Sequence, residues 1–144
     1  MFTLRSRTML VSESATSLRI GHLNVYHLFN KVRNVSFLLK QSSQLTHLFG
    51  ISETRFDSRI DNNSVRIPYY CGMRRDNSQT LHTGIALYVH QSIAMNTRRR
   101  TDLESEGVEC VWLETNNLKS PSLLLGFIYR NPASRLLGSM ILNE

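Results

Sequence analysis

The sequence predicts an α/β chain of the α+β kind, its strands forming a mostly antiparallel, mixed sheet. Two observations predict it. Over residues 17–52 an alternating segment, an amphipathic segment and a short apolar run succeed one another, which is the order strand, helix, strand. From there to residue 129, short apolar runs separated by polar turns repeat as a series of hairpins would.

Residues 17–25 (SLRIGHLNV) alternate apolar and polar in their first half, which suits a strand. Asn30 is placed to cap a helix over 30–43, with Val32, Val35, Leu38 and Leu39 on one face. Residues 45–52 are a short run of β character, and 54–68, rich in charge, Asp, Asn and Ser, read as a connecting loop. Strands are expected over 69–75 and 84–89, with a polar turn at 76–80 and a shorter strand near Ile93. Residues 108–114 alternate, Val108, Cys110 and Trp112 against Glu109, Val111 and Leu113. After a turn of Asn116, Asn117 and 119–121, residues 122–129 are nearly all apolar, as a strand covered on both faces would be. Residues 1–17, rich in Ser, Thr and Arg with Glu13 as their one acid, read as a leader that joins no core. A mitochondrial presequence is the weaker reading of that segment. Residues 134–144 form a weakly helical tail with no place in the pattern.

The 144 residues suit about one domain, and 41% apolar content with 19% charge is globular rather than disordered. The net charge of +6 favours an anionic partner such as nucleic acid, although a merely basic domain would have the same balance. All of the basic residues except Lys31, Lys40 and Lys119 are Arg, whose planar guanidinium grips phosphate bidentately. Base composition of the gene would produce the same bias. Cys71 and Cys110 lie far apart without a CxxC partner, so neither a disulfide framework nor a zinc site is indicated. Both sit in strand-like runs and read as small core residues. An intracellular compartment fits, the nucleus included. No apolar stretch approaches the length of a membrane span.

Seven segments carry a resemblance. They are LRIGHLNV (18–25), GISET (50–54), IPYY (67–70), RRD (74–76), GIALYV (84–89), VECVWLE (108–114) and FIYR (127–130). In order and spacing, the chain over 18–133 resembles the N-terminal part of an endonuclease/exonuclease/phosphatase domain. It is most similar to the LINE-type retrotransposon endonuclease that accompanies reverse transcriptase. The resemblance implies the first portion of a four-layer α/β sandwich of the DNase I-like type, and DNA as the partner. It implies that Glu53 ligates Mg²⁺, that Asn24 holds the phosphate or attacking water, and that the Tyr129 hydroxyl lies near the scissile phosphate. Arg74, Arg75 and Arg130 would touch the DNA backbone.

Each assignment has a plainer alternative. Asn24 and Glu53 could simply finish strands and cap the segments after them; Tyr129 could be a half-buried strand-end aromatic. The run Arg98, Arg99, Arg100, with Asp102, Glu104, Glu106 and Glu109 close behind it, reads first as a solvated loop and second as a DNA contact. None of the five His residues matches the family's catalytic His. His22 and His27 flank Asn24, His82 stands where relatives carry a Gly-rich turn, and His47 and His90 read as incidental.

The family's Asp-x-Asn pair and late Ser-Asp-His segment have no counterpart after Arg130. Catalytic groups act as a unit, so these residues alone are expected to be inactive as a nuclease. An apolar sheet face without its cover predicts self-association. A non-catalytic, basic nucleic-acid-binding module is the competing reading.

Overall fold

Residues Leu48–Ser52 are all buried, which places this short apolar run at the centre of a sheet. The computed structural model describes residues 17–76, 83–116 and 122–130, together with the backbone of 5–9. In chain order its strands and helices are β1 (Arg5–Met9), β2 (Leu18–Asn24), α1 (Val32–Gln41), β3 (Leu48–Ser52), β4 (Tyr70–Arg75), β5 (Ile85–His90), α2 (Gln91–Ala94), β6 (Thr97–Arg99), β7 (Glu109–Thr115) and β8 (Leu123–Tyr129).

A five-stranded sheet runs β1-β2-β3-β5-β4, and a three-stranded sheet runs β6-β7-β8. Among the described residues only the β2–β3 pair is parallel, because α1 carries the chain back between them; the other pairs are antiparallel. The fold class is therefore the mixed, mostly antiparallel α/β class expected.

Side chains alternate across the central sheet and build two cores. Leu23, Val25, Phe49, Ile51, Ala86 and Tyr88 face α1, whose Val32 and Val35 are buried against them with Leu38 and Leu39 alongside. Leu48, Ile85, Leu87 and Val89 face the second sheet, meeting Val111 and Leu113 with Leu125, Phe127 and Tyr129 alongside. Each fully buried Val, Leu, Ile or Phe contributes about 1.5–3 kcal/mol relative to exposure, so both interfaces are needed.

Several elements differ from the sequence reading. Residues 5–9, expected in a leader outside the fold, pair antiparallel with β2 as the edge strand β1. The rest of that leader, the polar turns at 77–80 and 117–121, and the tail at 134–144 lie outside the described residues. The helix starts at Val32, because a 3-10 turn over Phe29–Lys31 precedes it and absorbs Asn30. Lys31 occupies the cap position, and its ammonium reaches back to the carbonyls of Val25 and Tyr26. The loop 54–68 supplies core residues, Phe56, Val65 and Ile67 being buried.

Near Ile93 the chain forms the single helical turn α2 rather than a strand. His90 caps it, its ring nitrogen accepting from the Ser92 amide at 3.2 Å. Cys110 is a buried core thiol as expected, whereas Cys71 is exposed.

Arg98 and Arg99 lie in β6 rather than in a solvated loop. Arg99 donates to both oxygens of Glu104 at 2.8 Å, and Arg98 and Arg100 both meet Glu114. The alternating acids downstream neutralise this cluster. On β8 only one face is covered: Leu124 and Ile128 point outward and stay about half exposed. The run is apolar on both faces, but the second sheet is here an outer layer. Among the described residues, no helix is long and apolar enough to cross a membrane.

Candidate functional site

The parallel pairing of β2 with β3 sets Asn24 beside Ser52, so both strands end at the same edge of the sheet. Antiparallel β5 begins there, Ser52 pairing with Ile85, and β4 ends there, Arg75 pairing with Ile85. The second sheet is held to the same edge, the Glu109 carboxylate accepting from the Gly84 amide at 2.9 Å. This register brings three of the sequence-selected residues together.

Glu53 lies between the other two. Its Oε1 accepts from the Asn24 side-chain amide at 2.8 Å and from the Tyr129 hydroxyl at 2.8 Å. Asn24 and Glu53 end neighbouring strands of one sheet, and Tyr129 arrives from the other sheet, 76 residues away in the chain. The Asn24 bond is the main influence holding the Glu53 carboxyl below its ordinary 4.5. Partial burial opposes it, while the Tyr129 bond and the nearby Arg55 charge assist it. Tyr129 is pushed up to about 12, first by burial and then by the anionic partner it donates to. At neutral pH the site therefore holds a carboxylate and a neutral phenol.

The backbone around these residues is strained. Among the described residues five non-glycine residues have positive φ, and four of them lie at the site: Tyr26 (43°), His27 (75°), Glu53 (57°) and Arg55 (54°). Such conformations cost of order 1–3 kcal/mol each and persist only where surrounding contacts fix them. Here the two strand-end loops are laced together. His27 and Leu28 amides donate to the carbonyls of Glu53 and Thr54, and the amides of Thr54 and Arg55 donate to those of Gly84 and Thr83. Gly84 (φ 97°) fits close against buried Thr54, where a Cβ would fall 2.6 Å from Oγ1.

Beneath the site, His22 Nε2 lies 3.1 Å from the Ser52 hydroxyl and its ring packs against Phe127 at 5.5 Å. Partial burial of the ring lowers its pKa below the ordinary histidine value. The sequence offered one signal for this residue, its alternation in register with Asn24 along β2.

The three arginines selected from the sequence are placed differently. Arg74 pairs with Asp76 at 3.2 Å and lies over the Phe56 ring; Arg75 reaches Glu104 and donates to the Ser105 carbonyl at 2.6 Å. Both are engaged within the protein. Arg130 is exposed, directly after β8. Sequence reading passed over Arg55, which stacks on the Tyr26 ring with its guanidinium 3.5 Å from the centroid. Its position two residues beyond Glu53 was the available signal.

No protein-family model matches the sequence, and no curated protein matches it. Among solved structures the chain is similar to the AP endonuclease LMAP from Leishmania major, with a TM-score of 0.62 and 14% identity. The match covers 86% of this chain and 43% of that one, so the chain spans less than half of that protein's length. The fold is accordingly of the DNase I-like α/β type.

Proposed function

We propose that this chain carries the metal- and phosphate-handling part of a Mg²⁺-dependent DNA phosphodiesterase site, of the retroelement endonuclease branch. The observation that carries the reading is the convergence of Asn24, Glu53 and Tyr129 from three separate segments onto one carboxylate. Chance strand endings would not gather all three.

The donor set fits Mg²⁺. Glu53 Oε1 takes both hydrogen bonds, and Oε2 accepts none among the described residues. Mg²⁺ is commonly held by one or two carboxylates with several waters, and no cluster of three His, Cys, Asp or Glu occurs among the described residues. When bound, the ion would neutralise charge developing on a phosphoryl oxygen. Asn24 and Tyr129 fix the carboxylate rotamer. Neither bond exhausts the hydrogen-bonding capacity of Asn24 or Tyr129, since the amide keeps a carbonyl and a second hydrogen and the phenol keeps its lone pairs. The neutral phenol does not repel an incoming phosphate.

Among the described residues no His or Asp hydrogen-bonds to this trio as a general base would. These 144 residues alone are therefore proposed to bind Mg²⁺ and DNA without cleaving it. The competing reading, a basic module that only binds nucleic acid, shares the DNA partner but gives Glu53 no metal.

Two measurements test this. Paramagnetic Mn²⁺, standing in for Mg²⁺, should broaden the NMR signals of Asn24 and Glu53, and Glu53→Ala should abolish the effect. Broadening unchanged in that variant would remove the metal assignment. A plasmid-nicking assay with Mg²⁺ should show no cleavage by either protein. Nicking that vanishes in Glu53→Ala would show that the site is catalytically sufficient.

A further inference from the structure

Arg55 differs from its neighbours at the site edge. Arg74 and Arg75 are each tied to a carboxylate, whereas the Arg55 guanidinium makes no hydrogen bond or ion pair among the described residues. Its Nε is buried without a partner, as Nη1 of Arg74 is too, but Arg74 also has a carboxylate and Arg55 has none. A buried charge-bearing donor left unmatched is costly, so such groups call for an explanation.

The residue beneath it is equally unusual. Tyr26 is 57% exposed, and its backbone is held at φ 43° although a tyrosine gains nothing from that conformation. Its ring centroid lies 3.5 Å from the central guanidinium carbon. Of the three guanidinium nitrogens only Nε is buried, so the two Nη groups keep access to solvent, and a guanidinium held on an aromatic face can offer them to a phosphate. Arg55 also has a positive φ, and both residues stand two positions beyond a site residue, Tyr26 after Asn24 and Arg55 after Glu53. The Arg55 charge is close enough to act on both Glu53 and Tyr129.

We propose that Arg55, laid on the Tyr26 ring, is a second phosphate contact that grips the nucleic-acid backbone beside the phosphodiester presented to Glu53. Tyr26 is its positioning residue. The strained loops are the means by which two strand ends bring ring and guanidinium into register. The inference rests on the phosphodiesterase reading and deepens it by naming a contact that sets where along the backbone the strand lies.

The test is the salt dependence of binding to a short DNA duplex by fluorescence anisotropy, with circular dichroism and melting to confirm folding. Each phosphate neutralised contributes roughly 0.9 to the slope of log K against log salt. Arg55→Gln should weaken binding about tenfold at low salt and reduce the slope by about 0.9. Arg55→Lys, which keeps the charge but not the planar fork, should retain the slope while losing affinity. Tyr26→Ser should weaken binding as Arg55→Gln does, and Tyr26→Phe should restore it, a rescue that a general loss of stability would not show. A slope in Arg55→Gln equal to that of the parent overturns the proposal while leaving the DNA-binding reading intact. Failure of the parent itself to bind DNA at low salt overturns both.

Discussion

At Gly50 the second sheet packs tightly on the first, and replacing it with Ala tests how the site is assembled. A Cβ there would fall 2.7 Å from two Phe127 ring atoms and closer still to a third. Carbon atoms rest about 3.5–4.0 Å apart, so the ring would have to withdraw by roughly 1 Å. The ring is not free to do so, with His22 packed beside it at 5.5 Å. Overpacking of this kind costs about 1–3 kcal/mol. Glycine in a strand interior is itself unfavourable by roughly 0.5–1 kcal/mol relative to Ala, which offsets part of the loss. The expected net destabilisation is about 0.5–2 kcal/mol, or a melting temperature lower by roughly 2–6 °C. Thermal unfolding monitored by circular dichroism measures it. Phe127→Leu makes room for the methyl, so Gly50→Ala should cost markedly less in that background. Because Tyr129 lies two residues along β8, the displaced strand should also lengthen its bond to Glu53, visible as a higher Glu53 pKa by NMR titration. A Gly50→Ala protein as stable as the parent, or a cost identical in both backgrounds, would refute the packing argument.

The same geometry sets further outcomes. Tyr129→Phe removes one of two donors to Glu53, so the depressed carboxyl pKa should move up toward 4.5. A depressed carboxyl pKa stabilises the fold above its ordinary value and loses that contribution as pH falls through the folded value. The stability gap between parent and variant should therefore be full at neutral pH and close in acid; a gap constant across that range would contradict the pairing. The side chain of Glu104 is 7% exposed and accepts from Arg99, from Arg75 and from the Trp112 amide. Glu104→Ala should cost about 2–4 kcal/mol by urea unfolding, somewhat below the usual cost of orphaning a buried pair because both arginines reach solvent. Arg98→Ala, whose pair is more exposed, should leave stability nearly unchanged in the same assay. Leu124→Lys with Ile128→Lys should shift sedimentation toward monomer if the uncovered β8 face drives association; an unchanged profile removes that face as the cause.

Alternation along β2, the amphipathic face of α1 and the apolar run of β3 were legible because each pattern arises directly from strand or helix period. Asn24, Glu53 and Tyr129 could be singled out only through the ordered segments that resemble a known family, since strand-ending polar residues are otherwise commonplace. Local patterns did not reveal β1, whose pairing depends on a distant partner, or the turn of α2, whose cap is a histidine. They also missed the buried residues of loop 54–68, because a loop's core contacts have no period.

The sequence by itself determined the order of β2, α1, β3, β4, β5, β7 and β8, the basic charge and the residue types available at the strand ends. Only the tertiary structure decided which of those residues meet. Sheet register set Asn24 beside Ser52, and packing of the second sheet on Gly50 delivered Tyr129 to Glu53. It also decided the arginines, tying Arg74 and Arg75 to carboxylates and laying Arg55 on Tyr26. The reason is physical: a charge or hydroxyl acts over a few ångströms, and residues far apart in the chain come that close only through long-range pairing.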